Sequence, residues 1–154
     1  MRRDEREVRD ISGIFDILTR CTTISLGMNG ECVPYVIPMT FGCTLNDGKI
    51  TVYFHSAAAG RKWELLAKDP RVCVEAHLYD RVERTEGGIT AKYESVIGTG
   101  RAVRLTEQAD KVAAFRIMLA HYDNTGFPIT SCKGLSQAEV FAVTLDEVSG
   151  KHNL

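Results

Sequence analysis

Residues 50–67 place a strand pattern directly before a helix pattern, which defines a local order of strand, turn and helix. The strand has alternating apolar positions, namely Ile50, Val52 and Phe54. The helix, over about residues 57–67, is rich in alanine and has Trp63, Leu66 and Ala67 at helical spacing. Ser56 stands between the two patterns and is predicted to be the N-cap.

The start of this predicted helix carries Arg61 and Lys62, where acidic residues are the usual choice. Helix N-termini have free N–H groups and partial positive charge, so two cations there repel the helix dipole unless an anion lies among them. With an anion bound, the N–H groups, the cap hydroxyl, a guanidinium and an ammonium form a phosphate site. The alternative is that both are solvated surface charges, with Arg61 stacked on Trp63 or another neighbour.

Length and charge limit the classes of function. The 154 residues, of which 44% are hydrophobic and 25% charged, predict one domain over residues 1–154 with a sizeable core. A formal net charge of -1 gives no basic field for nucleic acid or an anionic membrane. No apolar run approaches the roughly 18–20 residues that span a bilayer. The charged N-terminus lacks the apolar core of a secretory signal, so we expect a cytoplasmic protein.

Five cysteines are scattered, odd in number and free of any Cys-x-x-Cys pair: Cys21, Cys32, Cys43, Cys73 and Cys132. We interpret them as reduced thiols of a cytosolic protein, with Cys43 and Cys73 in the core. The four histidines are far apart in the sequence and show no recurring ligand spacing. We therefore expect no metal site.

The remaining pattern predicts hairpin-linked strands with about three helices. Asp10 precedes a helix with apolar residues at Ile11, Ile14, Phe15 and Leu18, and Thr106 is predicted to cap a helix that carries Val112 and Phe115. Strands are predicted over about 22–28, 32–43, 49–55, 71–78, 93–105 and 139–145, with hairpin turns at Asn29-Gly30 and Asn46-Asp47-Gly48 and loops over 80–90 and 130–137. Hairpin linkage implies antiparallel pairing. We predict an α+β fold, a six-stranded antiparallel barrel with helices outside.

The predicted strand 32–43 contains Pro34 and Pro38, which cannot donate to a sheet ladder. It is therefore either an edge strand or a strand along which a ligand replaces the missing ladder. Gly98 and Gly100, two residues apart in another strand, indicate a bend or the close approach of a second backbone.

Four motifs, in this order and spacing, resemble the FMN-binding split-barrel superfamily, which includes the pyridoxamine 5'-phosphate oxidases. They are Pro-Tyr-Val-Ile-Pro-Met-Thr-Phe-Gly at 34–42, Tyr-Phe-His-Ser at 53–56 with Gly-Arg-Lys at 60–62, Asp-Pro-Arg-Val-Cys at 69–73, and Tyr-Glu-Ser-Val-Ile-Gly-Thr-Gly at 93–100. The chain looks most like the nitroimidazole-resistance (Nim) branch, which the closing residues 149–153 also suit. The resemblance runs from about Arg2 to Asn153.

This resemblance implies a split barrel that forms a homodimer, with FMN in two clefts at the interface. Gly60, Arg61 and Lys62 match the phosphate-binding segment, with His55 and Ser56 beside the phosphate and ribityl chain. The strand whose backbone follows the isoalloxazine ring matches Ile37, Pro38, Met39, Thr40 and Phe41. The strand that reaches the flavin from the partner subunit matches Tyr93, Ser95 and Val96.

The resemblance also implies an FMN-dependent oxidoreductase. An external reductant such as NAD(P)H reduces the flavin, and a small aromatic or nitro compound, with a nitroimidazole as the model, accepts the electrons. His55 is the catalytic candidate, as proton donor or substrate contact, although an ordinary half-buried histidine is the simpler interpretation. His121-Tyr122 at a helix end is interpreted as capping and packing.

Three alternatives stay open. One is a protein that binds or sequesters FMN without turnover. Another is a pyridoxamine phosphate oxidase, which must hold a second phosphate and whose usual Arg-rich C-terminal segment is missing here. The last is a haem protein with His55 or His121 as axial ligand.

Overall fold

A computed structural model describes residues 3–132, 134–135 and 137–154. Arg2, at the limit of the family resemblance, and Lys133 and Ser136, in the predicted loop 130–137, lie outside the described residues. The helices are α1 (Ile11–Arg20), α2 (Arg61–Lys68) and α3 (Gln108–His121), with short 3-10 turns at Asp4–Arg6 and Ile129–Ser131. The strands are β1 (Glu7–Val8), β2 (Ile24–Met28), β3 (Tyr35–Met39), β4 (Gly42–Asn46), β5 (Lys49–Ala57), β6 (Arg71–Thr85), β7 (Gly88–Leu105) and β8 (Ala138–Asn153).

The eight strands of the described residues belong to one antiparallel sheet in the order β3-β2-β6-β7-β8-β5-β4, with β1 paired to the far end of β8. Only Thr40 and Phe41 join the two edge strands β3 and β4, so the sheet curls and brings the ends of these strands close together without pairing them. The core fills the inside of this curl and includes the largest fully buried side chains, such as Phe41 and Phe54. The predicted α+β class, an antiparallel split barrel with three helices, is confirmed.

The number of strands differs from the six predicted for two reasons. The predicted strand 32–43 divides into β3 and β4, because Pro38 offers no N–H and the Phe41 N–H donates to the Tyr122 hydroxyl (3.0 Å) instead of to a strand. The second addition is the two-residue β1, which pairs Val8 with Gly150. Strand β3 lies at an edge of the sheet, which is one of the two arrangements that its prolines allow.

Two connections also differ from the sequence predictions. Residues 29–34 join β2 to β3 as a longer loop; Gly30 lacks the positive φ that a two-residue Asn-Gly turn requires. Residues 80–90, predicted as a polar loop, are a hairpin of β6 and β7 that pairs Arg81 with Lys92 through to Thr85 with Gly88.

The helix starts agree with the sequence in one case of three. The Asp10 carboxylate accepts from the Gly13 N–H (3.1 Å) and caps α1, as predicted. Ser56 is not the cap of α2, since it lies buried in β5 and Gly60 takes the N-cap position. The cap of α3 is Glu107 rather than Thr106, and no side chain there bonds to the helix.

Helix α3 covers the outside of β4, β5 and β8, and its C-terminal end is tied down by two aromatic residues. The His121 ring donates from Nε2 to the Cys21 carbonyl (2.7 Å) and packs on Phe41 at 4.3 Å between centroids. The Tyr122 hydroxyl donates to the Thr22 carbonyl (2.8 Å). These contacts support the packing role expected for His121-Tyr122. No helix among the described residues is both long and apolar enough to cross a membrane.

We expect Gly42→Ala to destabilise the fold, because a Cβ at Gly42 would lie 2.7 Å from the backbone of Met118 in α3. Overpacking of this kind costs about 1–3 kcal/mol of unfolding free energy. Urea unfolding measures it, with Gly87→Ala as the matched control, since a Cβ there meets nothing within 4 Å. Equal stability of the two variants would contradict the close packing of α3 on β4.

Candidate anion-binding site at the start of helix α2

The first turn of α2 leaves backbone donors without acceptors among the described residues. Gly60, the N-cap, has φ 103°, a value that favours glycine, and no side chain caps the helix. The first helical hydrogen bond runs from the Glu64 N–H to the Gly60 carbonyl (3.1 Å). The amides of residues 61–63 therefore have no partner within the helix, which is the usual condition of an anion site at a helix N-terminus.

Arg61 and Lys62 add two positive charges, and neither forms a close ion pair with a described carboxylate. The Arg61 guanidinium lies over the Tyr35 ring, 5.4 Å from its centroid. The Lys62 Nζ donates to the thioether Sδ of Met39 at 3.2 Å, and sulfur is a weak acceptor. Burial lowers the pKa of Lys62 from its ordinary value. The carboxylate of Glu31, in the loop after β2, binds Lys68 at 2.6 Å, and the pKa of Glu31 is lowered by Lys68 and further by the charge of Arg61.

Both contacts of these cations are made to side chains of β3, so the start of α2 lies against the edge strand of the sheet. Strand β3 pairs with β2 on one side only. The backbone groups on its other side have no strand partner, and Pro38 contributes no N–H among them. The site is thus a cationic helix start beside an open strand edge, a combination that accepts an anion joined to a planar group with hydrogen-bonding atoms.

His55 lies at the end of β5, near this site. Its ring packs against Phe115 of α3 at 5.4 Å between centroids, and part of the ring is exposed. Crowding by neighbouring atoms lowers the pKa of His55, and the positive charge of Lys62 lowers it further. A neutral imidazole, which donates from one nitrogen and accepts at the other, is therefore the main form at neutral pH.

A supporting group around Trp63 was missed from the sequence. The Arg104 guanidinium lies 5.0 Å above the Trp63 ring and holds Glu139 through two hydrogen bonds of 2.6 and 2.7 Å. Trp63 also packs on Phe141, at 6.0 Å between ring centroids. These contacts fix the third residue of α2 and so orient the helix start. Arg104 and Glu139 are 35 residues apart, and no local pattern connects them.

The structure brings some of the predicted site residues together and separates others. Tyr35, which the sequence analysis did not assign to the site, joins Met39, Gly60, Arg61 and Lys62. Ile37, Pro38 and Thr40 lie on or next to the same edge strand. Phe41 turns into the core against His121, and Ser56 is buried, its hydroxyl donating to the Ala57 carbonyl (2.8 Å).

The predicted site residues on β7 lie far from the edge strand β3 within a single chain. By register, Pro38, Ser25, Glu75 and Ile97 form one row across β3, β2, β6 and β7. Three strand spacings of about 4.8 Å put β7 roughly 14 Å from β3. Tyr93 and Ser95 follow on β7 beyond that row, and the Val96 side chain is buried in the core of its own chain. A single chain therefore does not bring Tyr93 and Ser95 to the edge of β3.

A cleft of about 680 Å³ lies on the other side of the same strands. We call this side of β2, β3, β6 and β7, which points away from the core, the outer face; it carries Gly27, Val36, Cys73, Ile97 and Thr99. Arg61, Lys62 and His55 do not line the cleft. Cys73 is exposed here, so its assignment to the core was wrong; the alternation of β6 points Val72 and Val74 inward instead.

Burial of the Cys43 thiol raises its pKa to about 12.

Comparisons with known proteins add a family and a set of related folds. A family model described as pyridoxamine 5'-phosphate oxidase matches residues 10–152. Among solved structures, a candidate 5-nitroimidazole antibiotic resistance protein from Bacteroides thetaiotaomicron is 27% identical, with 94% of this chain and 85% of that one covered and a TM-score of 0.82. No curated protein matches the sequence.

Two further structures share the fold at lower identity. A flavocytochrome from Azotobacter vinelandii is 23% identical, with 100% of this chain and 72% of that one covered and a TM-score of 0.79. An FAD and heme binding protein from Mycobacterium smegmatis is 16% identical, with 96% and 73% covered and a TM-score of 0.78. At these identities the likeness establishes the fold alone.

We expect the His55 ring to titrate below the ordinary histidine value of 6.5, and Lys62→Met to raise its pKa by removing a positive charge while keeping the bulk. Since the unfolded chain then binds the proton more tightly, His55 stabilises the fold above pH 6.5, and this contribution is lost as the pH falls through 6.5 toward the folded pKa. NMR titration of the ring protons, assigned with His55→Gln, measures both pKa values. A wild-type pKa at or above 6.5, or no response to Lys62→Met, would contradict this electrostatic coupling.

Proposed function

Because this chain belongs to the pyridoxamine 5'-phosphate oxidase family, we propose that it is an FMN-dependent oxidoreductase that reduces a small aromatic or nitro compound. The observation that carries the proposal is the cationic start of α2. Arg61 and Lys62 stand beside three amides that lack a helical partner, neither cation forms a close ion pair with a described carboxylate, and the side-chain acceptor of Lys62 is a thioether. A phosphate dianion supplies the missing negative charge.

The remaining residues suit the rest of this cofactor. Arg61 offers a planar fork and Lys62 a point charge, which together match a terminal phosphate better than either would alone. The open edge of β3 presents backbone groups to a planar ring system. When bound, FMN supplies the electron-transfer chemistry, and the chain binds, orients and shields it.

His55 is the residue to which we assign a catalytic role. Its lowered pKa leaves a neutral imidazole, which contacts the substrate through a ring N–H and exchanges a proton near neutral pH. We propose NAD(P)H as the external reductant. The exposed thiols of Cys32 and Cys73 suit a reducing compartment, and we propose the cytoplasm.

We further propose that the functional form is a homodimer. Tyr93 and Ser95 lie about three strands away from the edge of β3 that their proposed ligand follows, so only a second copy brings them to that edge. The outer face also exposes Val36, Ile97 and Val103, which is unusual for the solvent side of an antiparallel sheet. A two-fold contact through this face covers these side chains.

The spectrum of the purified protein tests the proposed activity. We expect a flavin absorption band after incubation with FMN, and bleaching of that band by NAD(P)H under anaerobic conditions, followed by reoxidation with a nitroaromatic acceptor. A flavin band that neither reductant nor acceptor changes would instead indicate a protein that binds FMN without turnover. Absence of a flavin band after reconstitution would contradict the cofactor itself.

We expect Arg61→Ala with Lys62→Ala to weaken FMN binding much more than riboflavin binding, because riboflavin lacks the phosphate. Each charge-assisted contact contributes about 1.5–3 kcal/mol, or roughly 10- to 150-fold in affinity. Quenching of Trp63, the single tryptophan of the chain, measures both affinities. The matched control is Arg9→Ala with Lys49→Ala, two exposed cations outside α2. Equal loss for the two ligands, or no loss for FMN, would contradict the phosphate assignment.

A further inference from the structure

The hairpin of β6 and β7 continues well beyond the rest of the sheet. Strand β2 pairs with β6 only up to Glu75, and β8 pairs with β7 only as far as Tyr93. Residues 81–85 and 88–92, joined by Glu86 and Gly87, therefore form a two-stranded ribbon, which we call the arm. Five residues past Tyr93 at about 3.4 Å each give it a length of roughly 17 Å. An isolated two-stranded ribbon is marginally stable in water, so the arm calls for a covering surface.

A β-bulge sets which side chains share a face of the arm. The register of β6 against β7 passes directly from Tyr79 opposite Tyr93 to Arg81 opposite Lys92, so Asp80 is an extra residue. Without it, Arg81 would lie on the same face as Tyr79. With it, Val82 takes that place. The bulge thus keeps the apolar Val82 on the side of the arm that is continuous with the outer face of β6 and β7.

The two faces of the arm consequently differ in chemistry. One face carries what we call the stripe, the side chains of Tyr79, Val82, Ile89, Ala91 and Tyr93, with Arg84 as the one charged residue of the arm on this face, opposite Ile89. Within it Tyr79 is 64%, Val82 56% and Ile89 75% exposed. The opposite face carries charges that satisfy one another, since Glu83 bonds to both Arg81 (3.3 Å) and Lys92 (3.0 Å). Water suits the charged face, and the stripe is the face that a partner would cover.

The stripe and the outer face lie on the same side of strand β7. Tyr93, Ser95 and Ile97 follow one another on the same face of β7, and the last belongs to the outer face defined above. Four strands by about five residues give the outer face a flat footprint of roughly 19 by 17 Å, and the arm adds roughly 10 by 17 Å. A stable interface buries about 800 Å² per partner, so the arm supplies a needed share of the area.

We propose that the arm crosses onto a second copy of this chain and that its stripe is part of the dimer interface. The proposal rests on the two-copy arrangement given under Proposed function and adds a specific element to it. The occupant is a second copy because the stripe and the outer face form one surface, and a two-fold contact buries all of it at once in a closed assembly. The bulge at Asp80 aligns the two parts.

We expect Val82→Glu with Ile89→Glu to raise the dimer dissociation constant at least 100-fold, because both charges would be buried in the contact. Sedimentation equilibrium over a concentration series measures the constant, and circular dichroism checks that the variant is folded. The matched control is Thr85→Glu, which puts a charge on the other face near the tip of the same arm and should change the constant less than threefold. A dimer unaffected by the stripe variant would overturn the proposal, as would a monomeric wild type.

Hydrogen exchange of the unaltered protein tests the same contact without a substitution. We expect amides within residues 81–92 to exchange faster once the protein is diluted below its dissociation constant. Exchange that does not depend on concentration would overturn the proposal. FMN binding distinguishes the failure of this proposal from the failure of the proposed function. A stripe variant that stays dimeric and binds FMN would reject only the role of the arm in the dimer interface. A wild-type protein that binds no FMN would reject the proposed cofactor.

Discussion

The open seam between β3 and β4 determines where the candidate site can lie. A closed barrel would pair these two strands and leave no free edge. Here Pro38 has no N–H to offer, and the Phe41 N–H is taken by the Tyr122 hydroxyl, so the ladder cannot continue across the seam. Helix α2 then places its first turn against β3, through Arg61 on Tyr35 and Lys62 on Met39. The distant tyrosine at the end of α3 thereby keeps open the strand edge that the site uses.

The positive charges at the start of α2 require an anion or water to stabilise them. Acidic residues in the first turn stabilise a helix, yet this helix begins with two cations, and its acidic residue, Glu64, follows them. An aromatic face and a thioether hold them in position without neutralising them, since neither carries a negative charge. The charges therefore remain available in the folded chain, and an anion that binds them stabilises the native state by mass action. Stacking of Arg61 on an aromatic ring, offered above as the alternative, serves this arrangement because it orients the guanidinium.

Local signals in the sequence predicted the parts of the fold that depend on local chemistry. The strand before α2, the Asp10 cap and the basic helix start were all evident, because each depends on residues within about one turn of one another. The arm was mistaken for a loop because the bulge at Asp80 interrupts the alternation by which a strand is recognised. Arg104 and Glu139 meet only through the pairing of β7 with β8. Likewise, the separation of Tyr93 from β3 follows from strand order, which no single segment encodes.

The covering of the barrel is uneven, and this bears on how many chains a complete site requires. Helix α3 lies on one half of the outside and supplies the apolar partners of Tyr53 and Leu105. On the other half nothing in the described chain covers Val36, Ile97 or Val103. A sheet with a solvated face normally alternates apolar and polar residues, so a face that departs from this alternation is expected to contact protein. In the homodimer that we propose, the second copy would bring Tyr93 and Ser95 to the edge of β3, so a single contact would account for both the uncovered face and the divided set of site residues.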